Sequence, residues 1–161
     1  MTDKLSEYGW SFQVKVLAAM FVDRTFLQQI ADIIQSDYFE SDANSWLLDI
    51  LIEHFREYKI PPSKDVLKVK ITEIDNDILK AAILEQLKDV FRYMESDDLD
   101  FVKNEILKFC KNQEIKRAIM DSVGLLKLGS YDEIKSKMDS AMKAGADTDI
   151  GHEYKKDVVA R

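Results

Sequence analysis

Apolar side chains recur every three or four positions along almost the whole chain, the interval that puts them on one face of an α-helix. β-branched residues never alternate cleanly with polar ones over five or more positions, so strands are not expected. The pattern predicts a helix over about 11–22, with Phe12, Val16, Ala19 and Met20 on its inner face. Asp23 is placed to cap a short second helix carrying Phe26, Leu27, Ile30 and Ile34. After a polar connector with Tyr38 and Phe39 as anchors, Asp42 opens a third helix marked by Leu47, Ile50, Leu51, Phe55 and Tyr58. Pro61 and Pro62 are expected to end it, because proline disfavours the α region in the residue before it. Ser63 starts a short fourth helix through Val66, Leu67 and Ile71. Asp75 is expected to cap a fifth, with Leu79, Ile83, Leu87, Val90, Phe91 and Met94 facing inward.

From 97 to 128 nothing breaks the pattern. There is no proline, and the one glycine, Gly124, lies near the end. The acidic start at Asp97, Asp98 and Asp100 suits a helix N-terminus. Leu99, Val102, Ile106, Phe109 and Cys110 form a first stripe, interrupted by the polar turn Lys111, Asn112, Gln113, Glu114. Ile115, Ile119, Val123 and Leu126 then resume on a rotated phase, joined by Met120 and Leu125. Gly129 supplies a left-handed stop, and Ser130 with Glu133 reads as a capping box for a last helix carrying Tyr131, Ile134, Met138 and Ala141 up to Gly145. The expected architecture is all-α: a compact bundle of about five helices over 1–96, a protruding antiparallel helical hairpin over 97–145, and a linker segment over 146–161. The linker reads as truncated before a further domain.

Charge changes the picture of partners. The net charge is −7, and residues 1–96 hold 11 Lys/Arg against 17 Asp/Glu, whereas 97–145 balance at 9 and 9. A domain that grips nucleic acid unaided needs a basic stripe, so little direct DNA binding is expected. The basic clusters, Lys64, Lys68 and Lys70, and Lys116 with Arg117, read as solvated faces. One cysteine among 161 residues excludes an internal disulfide, and no apolar run is long enough to span a bilayer. A cytoplasmic protein without a membrane partner is expected.

Chemistry is sparse. Cys110 lies on an inner stripe with no histidine or helix N-terminus to activate it, and His54 reads as a residue at the core boundary. The carboxylates Asp75 and Asp77, like Asp97, Asp98 and Asp100, stand at helix starts, where capping accounts for them. His152 with Asp147, Asp149 and Glu153 falls in the linker, which offers no fixed geometry for a metal. No catalytic, cofactor or metal site is expected. The methionines Met120, Met138 and Met142 point instead to an interface. A two-helix hairpin has one seam of its own, and its apolar set is wider than one seam needs. The expected interface is Ile115, Ile119, Met120, Val123, Leu126, Tyr131, Ile134 and Met138, with Ile150, His152, Tyr154 and Val158 as the docking residues of the linker.

The order of these parts resembles the N-terminal domain of DnaB-type replicative helicases, and is most similar to the versions carried by large tailed phages. The likeness rests on Tyr8, Gly9, Trp10, Ser11 and Phe12, on Tyr38, Phe39, Glu40 and Ser41, and on the run 109–119 from Phe109 to Ile119. It continues through 125–132 and through Asp149, Ile150, Gly151, His152, Glu153 and Tyr154. The resemblance implies a non-catalytic collar, whose hairpins pair as dimers and close a hexamer as a trimer of dimers. It implies docking of primase, with a helicase loader as a further partner, and a linker that packs on a neighbouring subunit's motor domain. ATP and magnesium would belong to that motor domain alone. This chain carries no Gly-Lys-Ser/Thr phosphate loop, so no ATP hydrolysis is expected of it, although the full-length parent would be an ATP-dependent 5'-3' DNA helicase in the cytoplasm of a bacterial host. The rival reading is a free-standing helical adaptor or loader-like protein that binds one partner through the hairpin.

Overall fold

The computed structural model describes residues 3–144, and over them the chain is all-α, with seven α-helices and no strand. The helices are α1 (Trp10–Val22), α2 (Arg24–Ile30), α3 (Asp42–Tyr58), α4 (Lys64–Thr72), α5 (Asp77–Tyr93), α6 (Leu99–Lys127) and α7 (Tyr131–Lys143). Two short 3-10 turns, Leu5–Tyr8 and Ser36–Tyr38, precede α1 and α3. The chain divides after Ile106 into two compact units, inside α6.

The first unit is built on three mutually packed helices, α1, α3 and α5. Helix α1 is not the one-faced helix expected from Phe12, Val16, Ala19 and Met20. Val14, Leu17 and Ala18 are fully buried too, so the helix is covered nearly all round. The cause is in its sequence, since between Phe12 and Val22 the only charged residue is Lys15. Each fully buried aliphatic side chain here stabilises the fold by roughly 1.5–3 kcal/mol relative to leaving it in water. Helices α3 and α5 are two-faced. They turn Leu47, Leu48, Leu51, Ile52 and Phe55, and Ile83, Leu87 and Val90, toward the core.

Helix boundaries follow from local hydrogen bonds. Asp23 caps α2, accepting from the Phe26 amide at 3.1 Å, and Ser41 and Ser63 do the same for Asn44 and Val66. The cap of α5 is Asn76, not Asp75. Its Oδ1 accepts from both the Ile78 and Leu79 amides, at 3.0 and 3.1 Å. The fourth apolar residue assigned to α2, Ile34, lies beyond the end of that helix, although it is buried. Helix α3 stops before the two prolines. Lys59 takes up a left-handed conformation with φ 65°, and its amide donates to the Phe55 carbonyl at 2.7 Å.

The opening turns of α6 belong with the first unit. Leu99, Val102 and Ile106 are buried, and Lys103 forms an ion pair with Asp23 at 2.8 Å. Lys15 reaches Asp98 at 2.7 Å. The unit boundary therefore lies ten residues beyond the expected division at 96.

The candidate interaction surface on the hairpin

The second unit turns on Gly129, whose φ of 71° is the left-handed stop. The Gly129 amide donates to the Leu126 carbonyl at 3.1 Å and the Ser130 amide to the Leu125 carbonyl at 3.0 Å. These two bonds are a Schellman motif, which satisfies the last carbonyls of α6 and turns the chain back. Ser130 does not form the expected capping box. Its amide is committed to closing α6, its ψ of 66° departs from the extended value of a capping residue, and its hydroxyl accepts no cap bond. Asp121, eight residues before Gly129, faces Lys137, eight after it, across 3.8 Å. That symmetry about the turn is the register of an antiparallel hairpin.

The expected interface residues separate into two groups. Ala118 and Ala141 are buried, and Ile115, Leu125, Ile134 and Met138 are half-buried, which marks the covered side. Ile119, Met120, Val123, Leu126 and Tyr131 are exposed, Met120 by 65% and Tyr131 by 68%. At about 100° per residue, Ile119, Val123 and Leu126 fall within about 60° of one another on α6, while Ala118 and Leu125 lie about 100° round the helix. Met120 extends the exposed stripe on its other flank. Leu128 and Met142 are exposed as well. Leu128 is not among the expected interface residues, because the uninterrupted helical pattern ends with it. Its position next to the turn glycine was the available signal. Ile150, His152, Tyr154 and Val158 lie outside the described residues, as do Asp147, Asp149 and Glu153.

Burial pushes the Cys110 thiol far above its ordinary value, and the nearby Glu114 carboxylate adds to this, so the group stays a neutral thiol. His54 lies against the Tyr58 ring, centroids 4.6 Å apart. Asp98 and Asp100 are engaged by Lys15 and Lys103, and Arg117 by Glu114 at 2.9 Å. Among the described residues no group of three or more His, Cys, Asp or Glu side chains is placed to hold a metal ion. No described helix is long and apolar enough to cross a membrane. Comparison with protein families, with curated proteins and with solved structures finds no match to this chain.

Proposed function

We infer that this chain is an assembly module that works by pairing its hairpin with the hairpin of a second copy, as the non-catalytic collar of a DnaB-type replicative helicase does. The observation that carries the reading is the run of exposed apolar side chains on α6 and its turn: Ile119, Met120, Val123, Leu126, Leu128 and Tyr131. Exposed apolar side chains grouped on one face of a helix, as Ile119, Val123 and Leu126 are, mark an interaction site. A partner helix carrying the same stripe offers it a self-complementary cover, as two-fold symmetry requires. In this reading the dimer is the unit from which a six-membered ring is built in the bacterial cytoplasm. The collar leaves DNA and ATP to a motor domain and offers its outer surfaces to primase and to a loader. The acidic balance of residues 1–96 supports a collar that does not itself grip DNA.

The test is solution mass by light scattering over a wide concentration range, on the chain and on Met120→Asp. A dimer or hexamer that dissociates in the variant, with helicity unchanged, is the expected result. A monomer at every concentration would remove self-pairing and leave the adaptor reading in its place.

A further inference from the structure

The first unit holds a second uncovered apolar surface, independent of the hairpin. Helices α4 and α5 approach each other closely at few points. Between them lies an open groove of about 540 Å³, within the size range of ligand-binding clefts. Leu67 and Ile71 of α4 and Leu87 of α5 line it as nearly buried residues, and Leu84, 47% exposed, stands with Ala81 on its α5 side. Phe91 closes one end, its ring held edge-on by Phe21 with centroids 6.3 Å apart. Three lysines, Lys64, Lys68 and Lys88, line the groove against a single carboxylate, Glu85. This reverses the balance of residues 1–96, where acids outnumber bases by 17 to 11. Lys88 is engaged by Glu85 at 3.0 Å. Lys64 lies over the Phe91 ring at 4.9 Å, and among the described residues neither Lys64 nor Lys68 is held by a carboxylate.

We propose that this groove is a docking site for an acidic amphipathic segment of another protein, a helix that seats two or three apolar side chains between α4 and α5 and sets its carboxylates on Lys64 and Lys68. Apolar side chains of two neighbouring helices lining an open groove match the helix-in-groove mode, in which anchors at i, i+3, i+4 and i+7 enter an apolar cleft. The lysine rim chooses the sign of the ligand. On a chain with net charge −7, a preference for an acidic ligand runs against the field of the whole molecule, so it has to come from local complementarity. Lysine stems also extend the apolar wall while their ammonium groups stay in water.

The experiment is fluorescence anisotropy on the full chain. The probe is a labelled helical peptide of about 14 residues, roughly four turns, with Leu and Phe at the anchor spacing and Glu elsewhere. The comparison peptide keeps the apolar positions and carries Lys for Glu. The expected result is saturable binding of the acidic peptide, roughly tenfold tighter than the basic one and weaker as salt rises. Leu84→Asp, at an exposed position that leaves the fold intact by circular dichroism, abolishes it. The double variant Lys64→Glu with Lys68→Glu inverts the preference, and Met120→Asp leaves it unchanged. Absence of saturable binding, equal binding of the two peptides, or binding indifferent to Leu84→Asp would each overturn the proposal. Sensitivity to Met120→Asp alone would move the site to the hairpin. Loss of self-association in Leu84→Asp would make a second copy of this chain the occupant, which also overturns it.

Discussion

Lys103 and Asp23, 80 residues apart in sequence, meet at 2.8 Å, and Asp23 uses its other carboxylate oxygen to cap α2 through the Phe26 amide. One side chain thus closes the α1–α2 corner and fixes the start of α6. The pair is partly screened from water, with side-chain exposures of 20% for Lys103 and 32% for Asp23. Asp100 shares the same ammonium at 3.0 Å.

Asp23→Ala removes both functions. Loss of an N-cap costs about 1 kcal/mol, within a range of roughly 0.5–2. The ion pair adds a further amount in the range of partly exposed pairs, roughly 0.2–1 kcal/mol. Asp23→Asn keeps the capping oxygen and loses only the charge, so it should fall between the wild type and Asp23→Ala. Urea unfolding of the three proteins tests the order. Equal midpoints for the Ala and Asn variants would mean the cap contributes nothing.

The legible part of the fold is the part written as periodic apolar spacing, and α1, α3, α5 and α7 lie within two residues of where that spacing puts them. Two kinds of feature escaped it. Alternative caps at adjacent positions cannot be ranked from composition, and the cap is Asn76 in place of Asp75, its side chain reaching two amides at once. Apolar residues on a two-faced helix read as buried whether or not anything covers them. Leu67, Ile71, Leu87 and Phe91 were all legible as an inner face, yet the groove they line depends on how far α4 and α5 stand apart, which no local pattern encodes. On the hairpin the excess of apolar positions was visible. Which of them lie on the covered side was not, since Ala118 and Ala141, the buried ones, are the least conspicuous.

The same ion pair fixes a pH dependence at both ends of the scale. Burial acts to raise the Asp23 carboxyl, but hydrogen bonds from Lys103 and from the Phe26 amide outweigh it, and its pKa is lowered. A lowered carboxyl contributes stability that is complete above its unfolded value, about 4, and is lost as pH falls through the folded one. Burial acts to lower the Lys103 ammonium, but its bonds to Asp23 and Asp100 outweigh it, and its pKa is raised. That contribution is complete below the unfolded lysine value, about 10.4, and is lost as pH rises through the folded one. Unfolding free energy measured from pH 2 to 12 should therefore lose stability at both extremes. In Lys103→Met the decline on the acid side should be shallower. An unchanged acid limb in that variant would sink the assignment.

Asn44 on α3 is fully buried, and neither its Oδ1 nor its Nδ2 finds a hydrogen-bond partner among the described residues. Leu47, one turn on, is equally buried and apolar. Truncation to alanine should separate the two. Leu47→Ala loses transfer energy and leaves a cavity, about 2–5 kcal/mol. Asn44→Ala removes an amide whose desolvation nothing offsets, so its cost should be below about 1 kcal/mol. Chemical denaturation of both variants decides it. A cost for Asn44→Ala as large as that of Leu47→Ala would mean the amide is satisfied in solution, for example by a buried water.

Gly129 would join folding to the proposed pairing of hairpins. Its φ of 71° suits glycine, and an added Cβ would meet nothing within 4 Å, so the only penalty on Gly129→Ala is the left-handed backbone itself. That penalty is roughly 1–2 kcal/mol for an L-residue. The Schellman turn sits inside the second unit, and no residue of the exposed stripe is altered. If the hairpin is the pairing element, Gly129→Ala should therefore weaken self-association while leaving the first unit's unfolding unchanged. Met120→Asp should weaken association with no change in the unfolding of either unit. Light scattering and thermal unfolding on the two variants separate these effects. Association unaffected by a destabilised turn would show that pairing does not depend on hairpin geometry, and the exposed stripe of α6 would then have to act as a single helix.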